Sequence, residues 1–425
     1  MWAGLAVLAV HIADDNFLQP EPGTSAAQHW VSGLVPILFI VAAASLYPRM
    51  RAGLRAATAL SSGVGAVVAG VEAGYYLTHG AISGDDYTGL LSAAAGVLLL
   101  LTGTTVLWRS RRRTGHRVWR HARRLLFAGL ALVVVSVVLF PVAVAYVVTH
   151  VARAEVPEAA LGAEPEDVEF TTSDGLRLEG WFVPSRNGAT VIVFPGRSGP
   201  QRQARMLIRH GYGVLLFDRR GEGASDGDPN MFGWDGDRDL DAAVEYLRAR
   251  PDVDPDRIGG IGLSVGGEML IRAAAGSEAL KAVVVEGATG QSVRDGLANG
   301  DRFDALLGGA VNTAAVAVFT NNLPPPSLRS QVPRIAPNRV FFIYGEHGQG
   351  GTEKGPNQQF YAEANPRQFY AEANPPKQIW EVPGGQHIAG ITTEPAEYER
   401  LVITFLDAAL LGASQTASVG GSPAS

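Results

Sequence analysis

The sequence predicts two units in series: an all-α, multi-span membrane unit, then an α/β unit on an eight-stranded, mostly parallel sheet. Three observations predict this. Residues 1–150 carry long, nearly uncharged runs of Ala, Val, Leu and Gly, each close to the roughly 20 residues a bilayer requires. From residue 165, short β-branched runs alternate with helical stretches, the rhythm of a doubly wound sheet. One of those strands, Arg257–Gly262, runs into Gly262-Leu263-Ser264-Val265-Gly266, a serine on a tight strand-to-helix turn.

The charge balance divides the chain at the same place. Residues 1–150 hold eleven arginines, no lysine and six acidic residues, a balance of +5. The whole chain is −6, so residues 151–425 carry −11. An acidic second half argues against nucleic acid as a partner. With no cysteine in 425 residues, disulfides and thiolate metal sites are excluded.

In the first unit, residues 30–47, 56–77, 89–108 and 125–149 read as spans. The shorter apolar run 1–12 leaves a fifth span or a re-entrant piece open. It lacks the basic start and small-residue cleavage site of a signal peptide. Arginine placement sets the orientation. Loop 48–55 carries Arg49, Arg51 and Arg55, and loop 109–124 carries eight arginines. Loops 13–29 and 79–88 carry Asp14, Asp15, Glu21, Asp85 and Asp86 and no Arg or Lys. Basic loops inside and acidic loops outside put residues 151 onward beyond the cytoplasm. The expectation is therefore an integral protein of the cell membrane with its α/β unit extracytoplasmic.

Residues 151–164 read as a linker. Val168–Thr172 and Leu176–Val183 form a hairpin around Ser173-Asp174-Gly175, a turn signal. Thr190–Phe194, Gly213–Phe217, Arg257–Gly262, Lys281–Val285, Arg339–Tyr344 and Gln378–Val382 follow as strands. Most are continuous apolar runs, as strands buried on both faces require. Helices are expected near 200–210, 236–250, 266–276 and 394–410. Gln359–Pro366 recurs as Gln368–Pro375, a tandem copy that reads as a tolerated loop insertion. The Gly/Ser-rich tail 413–425 is expected to be disordered.

The serine turn carries the chemistry. A serine lifted above a sheet between glycines two residues away on each side needs a base to take its proton. His387 follows the last strand in Pro383-Gly384-Gly385-Gln386, a loop able to bring an imidazole over Ser264. His347, after the seventh strand, is the competing histidine. Asp218–Ser225 after the fourth strand invites a phosphate or metal reading, while the alternating Asp252, Asp254 and Asp256 read as a plain surface turn, because they lack the glycine and terminal glutamate of a calcium loop.

Residues 165–412 resemble the α/β-hydrolase superfamily. The resemblance rests on Pro195-Gly196-Arg197-Ser198-Gly199, Asp218–Ser225, Gly262–Gly267 and Gly384-Gly385-Gln386-His387, and on the order Ser264, acid, His387. The layout, spans first, is similar to membrane-anchored actinobacterial hydrolases of uncharacterised function. The resemblance implies an oxyanion hole from the N–H of Val265 and, after strand three, that of Arg197. The Arg197 side chain would solvate its loop or meet an anionic substrate group. It also implies an aspartate soon after strand seven, but this chain has Gly348 near that place. Glu353 is the first candidate for the acid, then Glu346, then Glu286. It implies a lid insertion at 289–338, in which Ala305–Phe319 is apolar. The expected activity is cleavage of an ester, thioester or amide through an acyl-serine, with no cofactor and no metal. The expected partners are a small acyl substrate, lipid-like if drawn from the bilayer, and the membrane itself. Two other readings stay open: a serine peptidase, and a non-catalytic membrane sensor or scaffold with a hydrolase-like binding domain. The sequence is silent on oligomeric state.

Overall fold

A computed structural model describes residues 1–412 except 80, 81, 83, 111–116, 154, 291, 293, 294, 296–302 and 364–376. The arginine run 111–113, most of the tandem repeat and the tail 413–425 lie outside the described residues.

The chain divides into two compact units. The first comprises Met1–Ala152, Gly227–Met231 and Asp301–Pro324. Four of its helices are long and apolar enough to cross a membrane: Ala26–Arg49, Ala52–His79, Gly84–Arg109 and His121–Thr149. Each contains one of the expected spans, 30–47, 56–77, 89–108 and 125–149 in turn. The segment 1–12 forms a 12-residue helix, Trp2–Ala13, which is shorter than a bilayer crossing. Ala52–Val68 and Gly84–Arg109 meet through small side chains: Ala56, Ala59 and Ala66 are buried on one, Ser92 and Ala95 on the other. Ser92 Oγ donates to Ala66 O at 3.2 Å. Small residues and a hydroxyl at a helix seam are what association in an apolar solvent favours. Leu38, Phe39, Leu98, Leu125 and Leu126 point outward and are exposed.

The helix inside the expected lid insertion, Phe303–Thr320, belongs to this first unit. It packs on Phe140–Thr149: Asn312 Nδ2 donates to Pro141 O at 2.9 Å, and Phe319 meets Tyr146 edge to face at 5.5 Å. The short stretch Gly227–Met231 joins the same unit, with Gly227 N–H on Pro22 O and Met231 N–H on Val148 O. The insertion is thus no continuous excursion from the sheet. Its apolar helix has its partners among the other apolar helices, where Val316 is buried.

The second unit is the α/β part. Its strands are β1 Glu166–Thr171, β2 Arg177–Val183, β3 Thr190–Phe194, β4 Gly213–Phe217, β5 Ile258–Leu263, β6 Leu280–Glu286, β7 Arg339–Gly345 and β8 Lys377–Val382. They form one sheet in the order β1-β2-β4-β3-β5-β6-β7-β8. β1 and β2 pair antiparallel, as do β2 and β4, and every pair from β4 through β8 is parallel. The sheet is therefore mixed, with its antiparallel part at one edge.

Successive residues of the central strands feed opposite cores. Ile192, Phe194, Leu215 and Phe217 join the core under the helices Gly236–Ala249 and Val265–Gly276. Val191, Val193, Val214 and Leu216 join the core under Gln201–Arg209 and Pro395–Leu406. Both faces are covered, so these strands are apolar throughout. Each fully buried Phe, Leu or Ile contributes roughly 1.5–3 kcal/mol. The linker 151–164 is docked rather than free: Leu161 is buried in the second core, and Ala160 N–H donates to Gln201 Oε1 at 2.8 Å.

The strand order fixes where chemistry can happen. From β3 the chain goes to β4 on one side and later to β5 on the other. The loops leaving β3 and β5 therefore diverge at their C-terminal ends, the switch point where open α/β sheets bind ligands.

Candidate active site

Ser264 stands at that point, between β5 and the helix Val265–Gly276. Its backbone is at φ 52°, ψ −122°, a strained conformation that costs roughly 1–3 kcal/mol and persists only where surroundings enforce it. They do so here. Ser264 N–H donates to Glu286 O at 2.8 Å, and Ser264 O accepts from Gly267 N–H at 2.9 Å. A Cβ at Gly266 would overlap Pro195, and one at Gly262 would overlap the Gly266 backbone. Both glycines read from the sequence are thus required by close approach.

His387 follows β8. Its Nε2 lies 2.8 Å from Ser264 Oγ, and its Nδ1 is hydrogen-bonded to Glu353 Oε1. Because a carboxylate can only accept, Nδ1 carries the proton and Nε2 offers its lone pair to the serine hydroxyl. Glu353 is fully buried, and its Oε2 accepts from Gly345 N–H at 3.2 Å. It arrives by a short loop in which Gln349, Gly350 and Gly351 all have positive φ. A Cβ on Gly348 would overlap the Glu353 carboxylate. The glutamate thus fills the space that a side chain at 348 would take, so a longer side chain from five residues downstream occupies the aspartate's usual place.

The other expected acids stand apart from the imidazole in hydrogen bonding. Glu346 Oε2 accepts from Gly384 N–H at 2.8 Å. Glu286 is buried and holds Gly390 N–H and Tyr398 OH. The main-chain N–H of His347 donates to Gly385 O at 2.9 Å.

Arg197 departs from expectation. Its N–H, expected to face an oxyanion, donates to Asp218 Oδ1 at 2.8 Å. Its side chain is buried rather than solvating the loop, with Nε on Asp218 Oδ2 at 2.8 Å and the guanidinium over Trp181 at 5.3 Å. The reason is charge: a buried guanidinium needs a carboxylate, and Asp218 at the end of β4 supplies one. Val265 opens the helix after Ser264, where backbone N–H groups lack helical partners. The Asp218–Ser225 loop is internally tied, with Ser225 Oγ on Asp218 O at 2.6 Å. Among the described residues no group of three or more His, Asp or Glu side chains is arranged to hold a metal ion.

Burial raises the pKa of Glu286 to about 7, opposed by the Gly390 and Tyr398 hydrogen bonds. The folded carboxyl keeps its proton between pH 4.5 and 7, where the unfolded chain loses it. Stability is therefore full below about pH 4.5 and falls as pH rises through 7. Glu286→Gln cannot ionise. Its melting temperature relative to the native chain is expected to climb across pH 4.5–7 and level above; a difference flat with pH would refute the buried-acid assignment.

A mostly parallel sheet with this strand order, a serine elbow after β5, an acid-bearing loop after β7 and a histidine after β8 define an α/β hydrolase. The chain belongs to the X-Pro dipeptidyl-peptidase (S15) family, whose model matches residues 144–381, a stretch that ends short of His387. Among curated proteins, the uncharacterised protein YfhR of Escherichia coli (strain K12) is 37% identical over 116 residues, 25% of this chain and 40% of that protein. The polyketide transferase grgF of a Penicillium species is 37% identical over 133 residues, 28% of this chain and 43% of that protein. This chain thus spans about two fifths of the length of the curated relatives it matches. An esterase structure from Pyrococcus furiosus is 24% identical with a TM-score of 0.48, covering 61% of this chain and 97% of that one. The Penicillium α/β hydrolase GrgF is 22% identical with a TM-score of 0.48, covering 59% and 100%.

Proposed function

We propose that this hydrolase is a membrane-anchored serine enzyme that cleaves an acyl ester, thioester or amide through an acyl-serine intermediate. The observation that carries the reading is the hydrogen-bonded series Ser264 Oγ, His387 Nε2, His387 Nδ1, Glu353 Oε1. Ser264 Oγ attacks the acyl carbon while its proton passes to Nε2. The tetrahedral oxyanion is met by the Val265 N–H. Collapse breaks the bond to the leaving group, which takes the proton from Nε2. Water, deprotonated by the same nitrogen, then releases the acid and restores Ser264. Glu353 keeps the imidazole in its working tautomer and stabilises the cation formed in each half-reaction.

The four long apolar helices support anchoring in the cell membrane, and the arginine-rich loops support an α/β unit outside the cytoplasm. An ester is favoured, because nothing in the sequence marks a peptide-binding pocket. The family name supports a peptidase as second reading. The curated relative named a transferase suggests that a nucleophile other than water can take the acyl group.

Full-length chain in detergent, treated with a fluorophosphonate, is expected to carry the label on Ser264 by mass mapping. Comparing p-nitrophenyl esters with Xaa-Pro p-nitroanilides separates esterase from peptidase. A folded chain that takes no label overturns the enzymatic reading in favour of a binding module.

A further inference from the structure

The end of β6 is tied to both the serine and the histidine. The main-chain carbonyl of Glu286 accepts the Ser264 N–H at 2.8 Å. The buried Glu286 carboxylate accepts from Gly390 N–H at 2.8 Å and Tyr398 OH at 3.0 Å. Gly390 lies three residues after His387, so this carboxylate grips the loop that presents the imidazole. A Cβ at Gly390 would stand 2.9 Å from Glu286 Oε1, so the grip depends on a bare Cα. The residue directly after β6 makes a third contact. Gly287 has φ +74°, and a Cβ there would come within 3.0 Å of His387 Cε1 and 3.1 Å of Nδ1. The imidazole edge rests where that side chain would be.

We propose that Glu286 is a positioning residue that fixes the Ser264–His387 separation, holding the serine through its backbone and the histidine loop through its carboxyl group. The inference rests on the serine-hydrolase reading. The need for such a tie is local. Ile388, directly after the imidazole, sits at φ 48°, an unfavourable conformation for a β-branched residue. An untied loop would relax it and withdraw the ring. A general base works only within about 2.6–3.2 Å of the proton it takes. Besides Tyr398, the ionisable groups that act on Glu286 are Glu353 and His387. Glu286 hydrogen-bonds neither of them, so its influence runs through the loop.

The test is the rate constant and final extent of fluorophosphonate labelling in the full-length chain, for native, Glu286→Ala, Glu286→Gln and Tyr398→Phe. A displacement of about 1 Å costs roughly a hundredfold, so Glu286→Ala is expected to slow labelling by about 10- to 100-fold. Glu286→Gln matches the protonated carboxyl and keeps an acceptor for Gly390, so it is expected to stay within about threefold of native. Tyr398→Phe, which leaves no large cavity, falls between. A role confined to stability would lower the labelled fraction and leave the rate constant of the folded fraction native. Native rate constants in both Glu286→Ala and Tyr398→Phe overturn the inference, as does a Gln variant as slow as the Ala variant, which would assign the effect to charge. Absence of label on Ser264 in the native chain overturns the hydrolase reading instead, and the inference with it.

Discussion

Ser264→Ala is expected to lower ester hydrolysis by roughly four to six orders of magnitude, with the fold unchanged. In the proposed mechanism Oγ makes the covalent bond, and no other hydroxyl is hydrogen-bonded to His387 Nε2 among the described residues. Alanine also fits the elbow sterically, since only Oγ is removed from a side chain whose Cβ is already accommodated. Activity against a p-nitrophenyl ester, set against circular dichroism of the same sample, checks this. A variant retaining a tenth of native turnover would move the nucleophile elsewhere.

Glu353→Gln has the second largest expected effect, and its direction follows from the neighbours. Gly345 N–H donates to Glu353 Oε2, so a glutamine places its carbonyl oxygen there. Its NH2 group then faces His387 Nδ1, which can only respond as an acceptor. The ring proton is driven to Nε2, where it points at Ser264 Oγ and blocks proton removal. A loss of roughly 10³–10⁴ in kcat is expected, the scale of a triad locked in the wrong tautomer. KM should move little, because Glu353 is buried away from solvent. A loss below tenfold would mean that Glu353 does not orient the base.

Most strands were legible because each is a short apolar run bounded by turn residues. β3 and β4 match their expected limits, and the remaining strands differ by one or two residues at one or both ends. Ser264 was legible for a steric reason: an elbow needs glycine on both sides, and that need is written into the sequence. His387 was legible because few histidines follow the last strand. The acid was harder, since its position depends on how the loop 345–353 folds back, and three positive-φ residues decide that. The sequence does hold a signal, namely glycine at 348 where the superfamily places an acid, followed by a glycine-rich run ending in glutamate. Arg197 was misread because its partner Asp218 is 21 residues away, and nothing local announces a buried ion pair. Glu286, read as the third candidate for the acid, instead hydrogen-bonds Gly390 N–H and Tyr398 OH, and a glutamate closing a strand of buried valines is itself a sign of an internal carboxyl.

The first unit is assembled from three separated stretches, Met1–Ala152, Gly227–Met231 and Asp301–Pro324. That interleaving makes the protein indivisible by any single cut. A truncation starting near residue 155 would discard most of the apolar helices yet retain Phe303–Thr320, stripped of Pro141 and Tyr146. Its exposed surface would drive aggregation. Recombination faces the same obstacle: no one crossover point separates the α/β unit from the helical unit. A fragment meant to carry the α/β unit is therefore expected to need the remaining helices of the first unit with it.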